Sequence, residues 1–336
     1  MKEFILFLLQ VFRKQSRMNT SYLVKVGINM EFQQPNQGSN GQPNLPYNNG
    51  MTPTGYWKRL WFLWGALIIK VAISYVATLA AEVVYLTSYA SKDPNRLMEI
   101  TKDQDAIWEL SVEIVEALMP YTTLIEGIAA AITIPILFFM FRSDSKKEKR
   151  FGIMQTKKAP IFKYGLIGMI SISMCVGVNN IFYISGLTVI DQTYAKVTEA
   201  MYSADFLVQI LCLGILVPIA EELVFRGLMY KRLRYGLPYL PAALYGAFAF
   251  AIFHGNLVQM IYAFVLGMLF SYMYEKYGSI KAPIFAHVMM NLVSVFATEY
   301  QLMNWMSAEY VRIGTITVIC AAVASTMFVL IQRIEN

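Results

Sequence analysis

The amino-acid sequence predicts an all-α protein, a polytopic membrane helical bundle of about eight transmembrane helices with both termini cytoplasmic. Three observations carry this prediction. Of the 336 residues, 57% are hydrophobic and 15% charged, with a mean hydropathy of +0.47, more apolar surface than a soluble core needs. Apolar runs near the roughly 20 residues that a spanning helix requires recur along nearly the whole chain. Lysine and arginine concentrate in alternate connections, the charge pattern of short cytoplasmic loops.

Residues 1–56 read as a cytoplasmic, largely disordered tail. The opening "MKEFILFLLQVF" is too short to span, is followed by Arg13 and Lys14, and lacks the small-residue pattern of a cleaved signal. A start at Met30 or Met51 is an alternative reading. Between Met30 and Thr54 the chain turns to Gln, Asn, Pro and Gly, with almost nothing to bury.

The bundle is expected over residues 57–336. Lys58 and Arg59 precede the first span, Leu60–Tyr85, and the acidic connection after it reads as an external, partly amphipathic helix. The second span, Tyr121–Phe141, runs into the densely basic "RSDSKKEKRFGIMQTKK", which faces inward. The third, Tyr164–Ile190, is followed by a stretch without basic excess, and the fourth, Ser203–Tyr230, ends at the basic "KRLR". Ala242–Asn256, Leu257–Tyr274, Pro283–Thr298 and Val311–Ile331 complete the set. Ala242–Asn256 and Pro283–Thr298 are short for a full crossing, and re-entrant paths suit either.

The net charge of +6 comes largely from the inner loops. It therefore reflects orientation and anionic headgroups of the lipid bilayer, and no nucleic-acid motif accompanies it. Cys175, Cys212 and Cys320 each sit in an apolar span without CxxC spacing, which argues against a disulfide framework or a zinc ribbon.

The fourth span contains "VPIAEELVFRGLMY", with Glu221, Glu222 and Arg226 in an otherwise apolar run. Each carboxylate costs about 2.5–3.5 kcal/mol if charged at a helix centre. Glu222 and Arg226, at i and i+4, share a helix face and can pair, whether as site residues or as an ion pair that fixes packing. Glu221 is turned by about 100° from Glu222 and is left for another partner.

The chain has two histidines, His254 in "FAFAIFHGN" and His287 in "FAHVMMN", both within apolar segments. Helix-packing hydrogen bonds are the alternative use of each. Asn291 shares a face with His287 at i, i+4 and reads equally as interhelical glue, while Phe250, one turn before His254, reads by itself as a packing aromatic. Residues 203–298 thus hold the acid–base groups of hydrolysis: a carboxylate to deprotonate water, an imidazole to orient it, and a second imidazole with an amide for an oxyanion. HExxH, GxSG and GxGD motifs are absent from the sequence.

"EELVFR", "FAIFH" and "HVMMN" resemble, in order, the EExxxR, FxxxH and HxxxN motifs of the CPBP family of intramembrane proteases, the CAAX-protease and bacteriocin-processing family also called Abi. The similarity covers roughly the last half of the chain. It implies peptide-bond hydrolysis, within or beside the bilayer, of a membrane-associated peptide or protein. Glu221 matches the water-activating glutamate and His254 its assistant. His287 and Asn291 match positions that hold the oxyanion or bind a metal, and Glu222, Arg226 and Phe250 take supporting roles. The implied location is the cytoplasmic membrane of a bacterium.

The resemblance leaves the cofactor open between none and a single divalent metal such as zinc, held by His254, His287 and Glu221. Lack of a compact HxxxH spacing favours a metal-free glutamate base. A non-enzymatic membrane immunity or binding protein, or an ion- or proton-coupled transporter, is the alternative function. Glu221 lies about 14 Å above the inner border by helical rise, whereas His254 falls near the outer end of its span. The groups meet only if that helix is tilted, starts late near Pro241 or is re-entrant, and they are expected to converge in a wet cavity opening toward the cytoplasm.

Overall fold

The structure is a computed structural model that describes residues 51–92, 100–153 and 157–335. The polar tail expected over residues 1–56 lies outside the described residues as far as residue 50. Among the described residues the chain is helical, without a strand. In order, the longer helices are α1 (Tyr56–Lys92), α2 (Gln104–Leu118), α3 (Thr122–Arg150), α4 (Tyr164–Ile184), α5 (Gln192–Tyr202), α6 (Phe206–Leu233), α7 (Tyr239–Phe253), α8 (Leu257–Tyr277), α9 (Lys281–Glu299) and α10 (Tyr310–Gln332).

Seven helical stretches among the described residues are long and apolar enough to cross a membrane, with α2 and α3 joined into one of them by a tight turn at Met119–Tyr121. The chain is a multi-pass membrane protein, an all-α bundle. The expected eighth segment is α7, whose 15 residues reach about 22 Å at 1.5 Å each, short of a hydrocarbon core of roughly 30 Å. Pro283–Thr298, which also looked short, lies within the 19 residues of α9.

The turn between α7 and α8 follows from its three residues. His254 ends α7, Gly255 takes the left-handed conformation at φ 73°, and the Asn256 side chain caps α8 by accepting from the Gln259 N–H at 2.9 Å. α7 and α8 then pack face to face through small residues, as membrane helices do. A Cβ on Gly267 would stand 2.9 Å from both Cα and Cβ of Ala247.

The basic connections come together at one end of the bundle. Arg232 donates to Asp144 at 2.7 Å and to the Phe62 carbonyl, Lys231 pairs with Glu148 at 2.8 Å, and Arg234 pairs with Glu275 at 2.7 Å. Lys276 donates to the Gln332 carbonyl at 2.9 Å, which brings the end of α10 to the same place. The start of α1 and the end of α10 thus share the basic end. α1 touches the bundle lightly, its buried residues being Gly65, Ala66 and Lys70.

Candidate active site

α6 does not run as a regular helix. It is π-helical over Gln209–Leu216 and again over Leu223–Tyr230, with the α-helical turns Val217–Glu222 between them. π-segments are uncommon and frequent at functional sites. Pro218 accounts for the first. Its ring collides with a helical carbonyl four residues back and it has no N–H to give, so a wider turn relieves the clash. The Val217 N–H reaches five residues back to Cys212, and the Leu213 carbonyl, whose matching donor would be Pro218, is left without one. The Asn291 amide fills that gap, donating from α9 to the Leu213 oxygen at 2.9 Å. Gly214 permits the approach, since a Cβ there would meet Leu292 at 2.6 Å.

With the helices so joined, the charged groups of α6 and α9 form a ladder. Arg226 donates to Glu222 Oε1 at 2.8 Å, and the same oxygen accepts from His287 Nδ1 at 2.9 Å. His287 Nε2 then stands 3.9 Å from Glu221 Oε2. Glu222 and Arg226 are sealed from solvent, whereas the Glu221 side chain keeps 11% of its surface exposed. Glu221 accepts no hydrogen bond among the described residues.

Aromatic rings wrap the ladder. The Arg226 guanidinium lies over Phe250 at 4.4 Å and over Phe270 at 5.1 Å, a geometry in which the ring faces offset part of the cost of a buried cation. Phe250 also contacts the ring of His254 at 4.7 Å and that of His287 at 5.8 Å. It is therefore the common neighbour of both histidines and the arginine, not a lone packing residue. The last turn of α7 tightens so that the His254 N–H bonds to Ala251, which frees the Phe250 carbonyl to accept from His254 Nδ1 at 2.8 Å.

Each expected site residue thus falls in or beside one neighbourhood: Glu221, Glu222, Arg226, His287 and Phe250 by direct contact, His254 through Phe250, and Asn291 one helical turn past His287. Glu221, His287 and Arg226 lie within electrostatic range of the His254 ring. Two features run against expectation. Every residue from Ala220 to Leu233 is buried, so the ladder is closed toward the basic end by its own arginine and rings and does not open there as a wet cavity. A cavity of about 310 Å³ at Phe139, Arg142, Ser143 and Lys146 is lined by none of the site residues.

Both histidines offer a bare Nε2, but among the described residues no three His, Cys, Asp or Glu side chains gather closely enough to hold a metal. As placed, His254, His287 and Glu221 do not fit that role.

Two polar residues near the site are absent from the candidates drawn from the sequence. Lys70 of α1 is buried, 4.7 Å over the Phe253 ring and 3.9 Å from Glu126. Tyr262 of α8 packs 6.3 Å from the His254 ring. Lys70 was visible as a lone charge inside an apolar span, but a tyrosine in such a span has no distinguishing pattern.

Residues 203–293 match the family model described as Type II CAAX prenyl endopeptidase Rce1-like. The Bacillus subtilis (strain 168) protein named "Putative membrane peptidase YdiL" is 24% identical over 149 residues, which cover 44% of this chain and 56% of that relative. The chain thus spans little more than half the length of the curated relative that it matches. No solved structure matches the chain. Glu221, Glu222, Arg226, Phe250, His254, His287 and Asn291 all lie inside the residues that match the Rce1-like model, so the segment similar to CAAX endopeptidases is the one that carries the candidate site.

Proposed function

We propose that the protein is an intramembrane endopeptidase of the bacterial cytoplasmic membrane, hydrolysing a peptide bond of a membrane-associated peptide or protein with a water activated by Glu221. The observation that carries this is the asymmetry of the adjacent glutamates. Glu222 is committed to Arg226 and His287, while Glu221, free of protein donors, faces the open nitrogen of the same imidazole across 3.9 Å. One water can bridge that separation.

Glu222 fixes the imidazole. By accepting from Nδ1 it holds the His287 proton there and turns a lone pair on Nε2 toward the water. Glu221 takes a proton as the water oxygen adds to the scissile carbonyl carbon. It returns that proton to the amide nitrogen as the C–N bond breaks, leaving a carboxylic acid and an amine. The family match and the resemblance to a membrane peptidase support the same reading.

The test is purified protein in lipid nanodiscs with candidate membrane-anchored peptides, cleavage positions read by mass spectrometry. Wild type is expected to cut and Glu221→Gln to fall by roughly 10²–10⁴-fold, the usual share of a general base. Exhaustive chelation is expected to leave cleavage intact; loss restored by zinc would overturn the metal-free mechanism. A transporter or an immunity scaffold yields no cleaved product.

A further inference from the structure

The hydrogen-bond roles around the ladder leave a shortage of donors. A carbonyl oxygen only accepts, so the bond to Phe250 places the His254 proton on Nδ1. The bond to the Glu222 oxygen that also holds Arg226 does the same for His287. In the neutral state both imidazoles therefore present a bare Nε2, which accepts a proton but offers none to a developing oxyanion. Arg226 is enclosed between two rings. Asn291 spends one amide hydrogen on Leu213, leaving a single N–H, and oxyanion sites ordinarily combine two donors.

Tyr262, packed beside the His254 ring, carries a hydroxyl donor of the kind that is missing. Its ring is half-buried between His254 and Phe182, 6.3 Å from each. Its hydroxyl has no hydrogen-bond partner among the described residues, although tyrosine hydroxyls inside proteins usually find one. The Glu221 carboxylate lies within electrostatic range of it.

We propose that Tyr262 is a further catalytic residue, its phenol O–H donating to the carbonyl oxygen that becomes negative when water adds to the scissile bond. The phenol keeps its proton throughout and releases the hydrogen bond when the tetrahedral intermediate collapses. This assignment rests on the endopeptidase reading above.

The experiment compares wild type with Tyr262→Phe, which preserves the ring and removes the hydroxyl, in nanodiscs with a peptide that wild type cleaves. The expected result is a kcat about 10²-fold lower with KM and thermal midpoint unchanged, because one oxyanion donor is worth roughly 10²–10³ in rate. Affinity for a phosphinate analogue of the peptide, tetrahedral and anionic, should fall by a similar factor. Tyr262→His, which keeps a donor, should recover part of kcat. Cleavage by Tyr262→Phe within about threefold of wild type, well inside the range of ring-packing effects, overturns the assignment alone. A lower kcat with a matching drop in thermal midpoint and unchanged analogue affinity also overturns it, by assigning Tyr262 to packing. If wild type cleaves no peptide, the endopeptidase reading falls and this role falls with it.

Discussion

Removing one member of the Glu222–Arg226 pair should separate folding from chemistry. In the native state Glu222 Oε1 carries both the 2.8 Å bond from Arg226 and the 2.9 Å bond from His287, in a position with no solvent exposure. Glu222→Leu leaves the guanidinium charged, enclosed and without its carboxylate. Stripping one partner from a buried ion pair costs about 3–5 kcal/mol, which at 1.4 kcal/mol per tenfold is about two to three and a half powers of ten in the folding equilibrium. Arg226→Leu should destabilise by a comparable amount yet retain part of the activity, since Glu222 still holds His287. The double variant Glu222→Leu/Arg226→Leu removes the charges together and should recover most of the lost stability, within about 1–2 kcal/mol of wild type. It should remain inactive, because nothing then fixes the His287 tautomer. Urea unfolding in detergent micelles measures the first quantity and peptide cleavage the second. A double variant that cleaves at the wild-type rate would refute the positioning role of Glu222. A Glu222→Leu single variant as stable as wild type would refute the burial argument.

Three other outcomes follow from the geometry. Asn291→Leu should cost about 1–3 kcal/mol by leaving the Leu213 carbonyl unsatisfied, and adding Pro218→Ala should return part of that by supplying the missing N–H; unfolding of the single and double variants measures the coupling, and simple additivity would show that the cap is not the link. Gly267→Ala should destabilise by about 1–3 kcal/mol, because the new Cβ meets the Ala247 backbone and, at 3.1 Å, the Arg226 guanidinium, so a neutral thermal midpoint would mean that α7 and α8 pack less closely than 2.9 Å implies. Asp191, outside the spanning helices, has its carboxyl held below the ordinary carboxylate range by the backbone N–H groups of Tyr194 first and Val258 second. Its contribution is therefore complete above the ordinary value near 3.9 and is lost as pH falls through the depressed one. The stability gap between wild type and Asp191→Asn should be present at neutral pH and close under acid, and a gap independent of pH would contradict this.

The bundle was legible because its signals are local. Spanning segments need only length and apolarity, and loop charge needs only composition, so the apolar helices, the shortness of α7 and the gathered basic end follow from reading along the chain. The "HGN" turn was likewise written in three adjacent residues. The polar groups of the candidate site could be picked out because each is costly where it stands, and the pairing of Glu222 with Arg226 followed from one helical turn.

What amino-acid order by itself determined was which groups are available: two carboxylates, two imidazoles, one amide and one guanidinium on three neighbouring helices. Only the tertiary structure decided how they are shared. His287 bonds across 65 positions of sequence to Glu222 and not to Glu221, Asn291 serves a carbonyl orphaned by Pro218, and the basic end of the ladder is sealed. Such choices depend on the rotation and depth of one helix against another. A π-helical turn shifts both, and it arises from how backbone and neighbours compromise over a proline, which no period in the sequence records.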